Sequence, residues 1–327
     1  MLGRSTAMSH RPLGGLLLLG TLTLLWGSNW PAMKLALHEI DPWIFRTVCL
    51  LVGGAGLLGL ARAGGQSLRV PPQERWPLVV VALFNITTWH LCSAYGLTRI
   101  QAGRAAIIAY TMPLWTVVFG RLMVGERITR ARTVALGLGL LGMVALVAPV
   151  ARTLWDAPAG TLLMLFAAAG WAFGTVLTKS QAWTIPTAVL TGWQVLLGGV
   201  PIALGAALRL AAAGATGPGL APIAPSTAAL LGTAYATFVG AIFCHWAWFR
   251  LVAILPAAVA AIGTLGIPIV GLFSSALILG EPVGAGELLA LILVVSGLAI
   301  LFREVSGGGR DSAERPRPVS TATRESR

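Results

Sequence analysis

Charged residues are scarce in this sequence, and their scarcity excludes an ordinary soluble domain. Only 10% of the 327 residues are Asp, Glu, Lys or Arg, while 56% are hydrophobic. A soluble domain carries about a quarter charged residues, because these cover its surface. The 40 glycines and 19 prolines fit a membrane protein, since membrane helices contain both residues more often than soluble helices do. The chain is therefore predicted to have lipid as its solvent.

Cysteines and acidic residues are also few, and they are not arranged for catalysis. Cys49, Cys92 and Cys244 lie inside apolar runs without metal-ligand spacing, which argues against a disulfide framework or a zinc site. All 11 acidic residues fall in loops, tails or the ends of apolar runs. A membrane enzyme acting on lipid needs clustered His, Asp, Glu or Ser near a membrane face, and the sequence has no such cluster. No cofactor, metal or enzymatic activity is expected.

What the sequence does contain is a series of long apolar runs. A spanning helix needs about 20 mainly apolar residues. Ten runs qualify, at 13–36, 43–61, 76–98, 103–124, 131–150, 160–178, 185–208, 227–250, 256–279 and 285–302. They are continuous and do not alternate with period two, which excludes a closed β-barrel. The predicted fold class is an all-α integral membrane protein with ten transmembrane helices.

The formal net charge of +12 describes membrane topology rather than nucleic-acid binding. Lys and Arg residues sit in short clusters between the apolar runs, with six in the tail after Phe302. If both termini lie inside, seventeen basic residues fall in inner segments and four in outer connections, while Lys34 and Arg46 fall within apolar runs near the outer face. This asymmetry follows the positive-inside rule. We expect a multi-pass protein of the plasma (inner) membrane with cytoplasmic N- and C-termini, in contact with the lipid bilayer and without a nucleic-acid partner.

The chain repeats itself. Shifts of 145 or 155 residues match Trp26 with Trp171, Lys34 with Lys179, His90 with His245, Pro113 with Pro268 and Glu126 with Glu281. Each repeat holds five spans, and an odd number makes the second copy enter the membrane from the opposite side. Secondary transporters use such inverted repeats to expose a central site to each side in turn. The predicted boundaries are an N-terminus at 1–12, a first repeat at 13–150, a connection at 151–159, a second repeat at 160–302 and a disordered cytoplasmic tail at 303–327.

Several motifs carry a family resemblance. The segment Trp26-Gly27-Ser28-Asn29-Trp30, followed by Lys34, resembles the first-helix signature of the EamA branch of the drug/metabolite transporter superfamily. The run 102–126 around Pro113 resembles the fourth-helix pattern of that family, and 257–281 repeats it. The resemblance covers about 13–302. It implies two inverted five-helix repeats, a central cavity lined mainly by spans 1, 3, 4, 6, 8 and 9, and export or exchange of amino acids, metabolites or toxic organic compounds.

Aromatic and polar residues inside the spans are the candidate substrate contacts. Trp26 and Trp30 share one helical face with Asn29 beside it, and Tyr110 lies one turn before Pro113. Aromatic rings with a few polar groups suit amphipathic or aromatic substrates, and cations by attraction to a ring face. Packing or contact with lipid is the alternative for each aromatic residue. The predicted substrate-binding residues are Trp26, Asn29, Trp30, Trp89, His90, Tyr95, Tyr110, Trp171, Thr175, His245 and Trp246.

The two histidines well inside spans are the candidates for proton coupling. A histidine near its reference pKa of about 6.5 titrates in the physiological range, and a proton-coupled carrier usually keeps an ionisable group within the membrane. No Asp or Glu lies near the centre of a span, so His90 and His245 are selected by elimination. Hydrogen-bonded packing histidines are the alternative.

Two further residue pairs have predicted roles. Pro113 and Pro268 lie within spans, where proline removes a backbone hydrogen bond, so they are predicted hinges, with static kinks as the alternative. Lys34 and Lys179 end equivalent helices at opposite faces. They are predicted to lie at the mouths of the pathway, and snorkelling to the headgroups is the alternative.

The function predicted from these features is secondary transport, with export of small metabolites such as amino acids or amphipathic and aromatic compounds by alternating access. The predicted partners are a small-molecule substrate and the bilayer, and the chain is expected to be a monomer or a homodimer. A lipid flippase or channel is the first alternative, because the repeat also permits it. An integral membrane enzyme acting on lipid is the less favoured alternative.

Overall fold

The computed structural model describes residues 11–125, 129–147, 158–213, 224–254 and 266–313, and all regular structure in these ranges is helical. The helices of the first half are α1 (Arg11–Gly27), α2 (Asn29–Glu39), α3 (Pro42–Ala63), α4 (Pro72–Ala82), α5 (Trp89–Leu97), α6 (Ala102–Ala109), α7 (Met112–Val124) and α8 (Arg130–Val147). Those of the second half are α9 (Pro158–Ser180), α10 (Thr187–Ala213), α11 (Thr227–Ala234), α12 (Cys244–Ile254), α13 (Gly266–Leu279) and α14 (Ala285–Ala313).

Wherever these ranges cover them, the ten predicted spans fall on helices to within two residues, apart from short breaks. Within the described ranges, six helical stretches are long and apolar enough to cross a membrane by length and composition alone. The first predicted span is not one of them, and a turn at Ser28 divides it into α1 and α2. Leucines on the outer surface of the helix bundle, such as Leu17, Leu208 and Leu277, are more than 60% exposed. Lipid is the solvent that makes such a surface favourable, so the fold is the predicted all-helical membrane fold.

Polar contacts at the helix ends join the connections that the predicted alternation of spans places at the same face. At one end, both carboxylate oxygens of Glu39 accept hydrogen bonds from Ser226, from its N–H at 2.7 Å and its hydroxyl at 2.6 Å. Asp41 pairs there with Arg209 at 3.5 Å. At the opposite end, Glu74 accepts a hydrogen bond from the Thr184 N–H at 2.9 Å. These residues group as the predicted outer and inner connections do. That the end with Glu39, Asp41, Arg209 and Ser226 faces outward stays a prediction.

Two π-helical segments interrupt the third and eighth spans at equivalent places. Leu83–Thr88 joins α4 to α5, and Tyr235–Phe243 joins α11 to α12. Each segment ends just before one of the two predicted histidines. A π-helical turn contains an extra residue and leaves a backbone carbonyl without its usual partner, and such turns occur frequently at functional sites.

The fourth span is broken at the predicted hinge. Helix α6 ends at Ala109, the chain turns through Tyr110 and Thr111, and α7 begins at Met112 with Pro113 in its first turn. Proline fits a first helical turn, because its missing N–H has no intrahelical partner there. The far end of α7 is closed by Gly125 at φ 70°, and Gly280 at φ 67° follows α13 in the second half. Only glycine adopts this left-handed conformation without strain.

The last helix is longer than the predicted span. Helix α14 continues to Ala313, past residue 302 where the apolar run ends, so residues 303–313 of the predicted disordered tail are helical. No proline precedes Pro316 in this stretch, and without one nothing in the sequence forces the helix to stop at the membrane face. The rest of the predicted tail lies outside the described residues, as do Glu126 and most of the predicted connection at 151–159.

Candidate substrate cavity

A cavity lies in the middle of the helix bundle and is lined by both halves of the chain. Its volume is about 160 Å³, roughly ten times the 10–15 Å³ that a single water requires by the same measure. It therefore has room for a small metabolite. The lining residues are Trp26, Asn29, Trp30, Met33, Arg46, Cys49, Leu50, Trp89, His90, Ser93, Tyr110, Met112, Trp171, Ala236, Gly240, Ala241 and His245.

Most of the predicted substrate-binding residues are brought together here. Trp26, Asn29, Trp30, Trp89, His90, Tyr110, Trp171 and His245 all line the cavity. They come from spans 1, 3, 4, 6 and 8, as expected from the resemblance. Span 2 also contributes, through Arg46, Cys49 and Leu50, and this was not predicted. The described part of span 9 contributes no lining residue.

Three predicted residues do not line the cavity. The Tyr95 hydroxyl accepts a hydrogen bond from the Trp43 indole N–H at 2.8 Å. The hydroxyl of Thr175 donates to the Trp171 carbonyl of its own helix at 2.8 Å. Trp246 is 42% exposed and contacts Phe243, with ring centroids 5.8 Å apart. Its side chain follows that of His245 by about 100° around the helix, so adjacent residues face different surroundings.

The aromatic wall is built from pairs that cross between the halves. Trp26 of the first half packs edge-on against His245 of the second, with centroids 5.4 Å apart. Trp171 of the second half packs edge-on against Trp89 of the first, at 5.6 Å. Edge-to-face contact at this distance is the favoured geometry for aromatic rings. The two matched tryptophans of the repeat therefore each join span 1 or 6 to a span of the opposite repeat.

Arg46 is the main residue that the sequence analysis missed. It lies in the second turn of α3 and is only 4% exposed. Its Nε donates to the His90 carbonyl at 3.0 Å, and its Nη2 donates to the Ser93 hydroxyl at 3.0 Å. An ionisable residue inside a membrane span is by default a candidate functional residue. That rule would have identified Arg46, had its position in the run 43–61 not been assigned to the outer face.

Asn29 places an unsatisfied amide at the cavity. Its Oδ1 is buried and has no hydrogen-bond partner within the described residues. Asn29 begins α2, directly after the turn at Ser28 that divides the first span. It packs against Gly240, where an added Cβ would lie 2.9 Å from Oδ1. A buried acceptor without a partner is costly, so this oxygen is available to a ligand.

The π-helical segments position the two histidines. The Nδ1 of His90 lies 2.9 Å from the carbonyl oxygen of Ile86, and the Nδ1 of His245 lies 3.3 Å from that of Gly240. Both carbonyls belong to π-helical segments, where the backbone leaves an acceptor free. In this arrangement each ring fixes a break in the backbone and also borders the cavity. The geometry is compatible with packing and with proton exchange alike.

The predicted pathway-mouth lysines and hinge prolines lie away from the lining. The Lys34 ammonium donates to the carbonyl oxygens of Leu97 and, at 2.7 Å, Ile100, near the end of α5. Cations stabilise helix C-termini in this way. Lys179 is exposed near the end of α9. Pro268 is buried in the first turn of α13, and Pro113 is half-buried in that of α7.

One further contact closes the end of the bundle near Lys34. The Glu281 carboxylate accepts the backbone N–H groups of Ala102 at 2.8 Å and Gly103 at 3.0 Å, the first of helix α6. A carboxylate at a helix N-terminus satisfies orphan donors and complements the helix dipole. Glu281 thus connects the segment after α13, in the second half, to the start of α6, in the first. Within the ranges that the structure describes, no three His, Cys, Asp or Glu side chains form a metal-ligand group.

In a comparison with known protein families, one family model matches two separate regions of the chain. A model of the EamA-like transporter family matches residues 13–148 and again residues 158–303. The uncharacterized transporter YvbV of Bacillus subtilis (strain 168) is 29% identical over 292 residues, which cover 87% of this chain and 90% of that protein. The two matched regions correspond to the two halves that enclose the cavity.

Other relatives have more specific names. A probable amino-acid metabolite efflux pump of Salmonella typhimurium is 26% identical over 287 residues, covering 85% of this chain and 91% of that protein. The uncharacterized inner membrane transporter YedA of Escherichia coli (strain K12) is 27% identical over 286 residues, covering 86% and 88%. One crystal structure matches with a TM-score of 0.60 at 22% identity, over 88% of this chain and 96% of that chain. At that identity the likeness concerns the fold alone.

Proposed function

Because the chain belongs to the EamA-like transporter family, we propose that it exports small amphipathic metabolites, amino acids among them, by alternating access around the central cavity. The observation that carries this proposal is the cavity itself, since both repeats line it and aromatic rings alternate with a few polar groups. Concave, mostly apolar sites with a few placed polar groups are typical of small-molecule binding. The name of the Salmonella relative, an amino-acid metabolite efflux pump, supports the same substrate class.

Alternating access requires that one end of the cavity be closed while the other opens. In the proposed mechanism, the closed end is the one where Glu281 caps α6 and Lys34 binds the end of α5. Both contacts join separate spans, and both depend on backbone groups at helix ends. Separation of α13 from α6 would break the Glu281 contact, and separation of α2 from α5 would break the Lys34 contact. By the predicted topology this end faces outward, with both termini in the cytoplasm and the protein in the inner membrane.

The break at Tyr110 and Thr111 is the proposed hinge of the first half. It lies between α6, which Glu281 caps, and α7, which carries Pro113. Tyr110 and Met112 also line the cavity, so rotation at this break would change the cavity and the closed end together. Pro268 is proposed to act in the same way in the second half.

The test is uptake of a labelled panel of amino acids and metabolites by purified protein in liposomes. We expect saturable flux of at least one panel member, reduced about tenfold or more by Trp26→Ala or Trp171→Ala, as loss of an aromatic contact requires. The matched control is Trp76→Ala, because Trp76 is 72% exposed at the bundle surface. Equal loss in the control, or flux unaffected by both cavity variants, would contradict the proposed site.

Proton coupling through His90 or His245 is part of the proposal and has its own test. The same liposomes are assayed with and without a pH gradient, using wild type, His90→Gln and His245→Gln. Coupled export predicts gradient-dependent flux in the wild type that one of the variants loses while retaining flux down a substrate gradient. A rate that ignores the gradient in the wild type would leave both histidines as packing residues of the π-helical segments.

A further inference from the structure

We propose that Arg46 binds the carboxylate of the substrate, so that the cavity selects small carboxylic acids and amino acids over neutral or cationic amphipaths. The inference rests on the proposed function, since it names the group that the cavity recognises. It begins from a cation that is 4% exposed inside a membrane protein. A buried charge is strongly disfavoured unless an opposite charge or a full set of hydrogen bonds accompanies it.

Among the residues that the structure describes, no carboxylate pairs with Arg46. Within the described ranges, the ion pairs recorded are Arg104 with Glu287 and Arg209 with Asp41. The remaining described carboxylates with recorded contacts, Glu39, Glu74 and Glu281, are bound to groups at the ends of the bundle. The titratable groups that share the cavity lining with Arg46 are His90, His245, Tyr110 and Cys49, and none of them is acidic at neutral pH. Within the described part of the chain, the positive charge of Arg46 therefore has no anionic partner.

The guanidinium is held in place but not saturated. It has five N–H donors. One reaches the His90 carbonyl, one reaches the Ser93 hydroxyl, and Nη1 lies 3.5 Å from the Met33 sulfur, which is only a weak acceptor. Its Cζ also lies 5.1 Å from the centroid of the Phe45 ring. These contacts fix the orientation of the side chain and leave donors on the terminal nitrogens. Two such donors match the two oxygens of a carboxylate in a bidentate pair.

The rest of the lining fits the remainder of such a molecule. Asn29 lies one helical turn, about 6 Å, before Met33, which contacts the guanidinium. Its partnerless Oδ1 can accept a hydrogen bond from an amino or hydroxyl group of the substrate. The rings of Trp26, Trp89 and Trp171 offer apolar contact for a side chain. The tryptophan rings alone would also attract cations, but the nearby guanidinium repels them. The cavity should therefore favour a substrate with a carboxylate over one with a positive charge.

The experiment measures binding to purified full-length protein in detergent at fixed neutral pH, by quenching of tryptophan fluorescence. The probes are phenylacetate, its uncharged amide phenylacetamide, and the phenethylammonium cation, which share an aromatic ring and differ in charge. We expect wild type to bind phenylacetate about tenfold more tightly than phenylacetamide, and to bind the cation most weakly, because a charge-assisted bidentate pair forms only with the acid. Arg46→Gln should remove the preference, because it should weaken binding of phenylacetate about tenfold and leave binding of phenylacetamide unchanged.

Two further variants separate the charge from the fold. Arg46→Lys keeps the charge but not the fork, so it should retain part of the preference. Arg75→Gln removes a positive charge from the exposed start of α4 and should change nothing. If Arg46→Gln does not fold, the wild-type preference for acid over amide still decides. Equal binding of acid and amide by wild type, no acid binding at all, or an unchanged preference in a folded Arg46→Gln protein would overturn the proposal. Acid binding without transport of any panel member would instead contradict the proposed function alone.

Discussion

The two halves of the chain share a framework of close packing but differ in polar chemistry. A shift of 145 residues places Gly53-Gly54 of α3 on Gly198-Gly199 of α10, and each glycine lies against a neighbouring helix. In this register Arg46 corresponds to Thr191, so the equivalent position of the second half carries no charge. Asn29 likewise corresponds to Gly174. This pair of close-packed glycines is thus preserved in both halves, whereas Arg46 and Asn29 of the cavity lining are replaced.

Two asparagine–glycine contacts between spans show how the halves differ in sequence at equivalent positions. Asn29 of span 1 packs against Gly240 of span 8, and Asn85 of span 3 packs against Gly174 of span 6. Gly240 and Asn85 are themselves matched by the shift of 155 residues. Each equivalent contact therefore contains one asparagine and one glycine, with the asparagine on opposite partners. Only Asn29 lines the cavity, whereas the Asn85 amide lies 3.4 Å from Gln194 of α10.

Gly174→Ala should have the largest effect on stability, because of the two asparagine–glycine contacts this is the one in which the glycine lies against backbone. An added Cβ would lie 2.8 Å from the backbone nitrogen of Asn85 and would also collide with its side-chain oxygen. Backbone cannot move aside cheaply, so we expect destabilisation of about 1–3 kcal/mol, the usual cost of overpacking. The measurement is thermal unfolding in detergent. Gly59→Ala is the control, since nothing lies within 4 Å of its added Cβ, and an equal loss there would remove the packing explanation.

Gly240→Ala should destabilise less and should affect transport more. The nearest atoms to its added Cβ are all in the Asn29 side chain, at 2.9–3.1 Å, and a side chain can rotate away. Such rotation would displace the amide from the cavity. We therefore expect a melting temperature closer to wild type than that of Gly174→Ala, together with reduced substrate affinity. Wild-type affinity in a folded Gly240→Ala protein would show that Asn29 does not contact substrate.

The matched prolines test whether both halves move. Pro113→Ala restores an N–H donor beside the break between α6 and α7, and Pro268→Ala does so in the first turn of α13. We expect each to lower turnover severalfold with little change in the amount of protein, because a hinge affects rate more than folding. Turnover is measured in liposomes and normalised to protein content. Parallel loss of protein and activity in both variants would leave only a structural role.

Trp246→Ala should have the smallest effect on substrate affinity. It tests a residue that was a predicted substrate contact but that the structure places outside the cavity lining. The Trp246 side chain is 42% exposed. We expect substrate affinity within about twofold of wild type, as for a residue without a ligand contact. Binding weakened as strongly as in Trp26→Ala would mean that the cavity extends to this face of α12.

The fold could be predicted because the hydrophobic effect acts on long uniform stretches. Runs of about 20 apolar residues identified the spans, and the repeat identified their arrangement. The breaks could not be predicted in the same way. The turn at Ser28 and the π-helical segments depend on which acceptors neighbouring helices provide, and composition does not reveal these. In span 3, the segment Leu83–Thr88 adds a residue to the turn and shifts the helical phase that follows.

The differences between the predicted site residues and the observed cavity lining follow from the same cause. Tryptophan and histidine types were sufficient to find the residues near the middle of the spans, such as Trp26 and His245. They could not distinguish His245 from its neighbour Trp246, because the direction of a side chain depends on the rotation of its helix. Arg46 was missed because the depth of a side chain near a span end depends on the helix packed beside it. Asp41 caps α3 through the Trp43 N–H at 2.9 Å, and in the second turn Arg46 binds His90 and Ser93 of α5 instead of reaching the headgroups.

The most direct test of a carrier built around this cavity is counterflow. Liposomes containing the protein are loaded with a high concentration of an unlabelled substrate from the panel, and entry of a trace of the labelled compound is followed over time. Alternating access predicts a transient accumulation of label above equilibrium, which is lost in Trp26→Ala and Trp171→Ala. A channel lets each molecule move independently, so label that only equilibrates, at a rate indifferent to the internal load, would contradict the account.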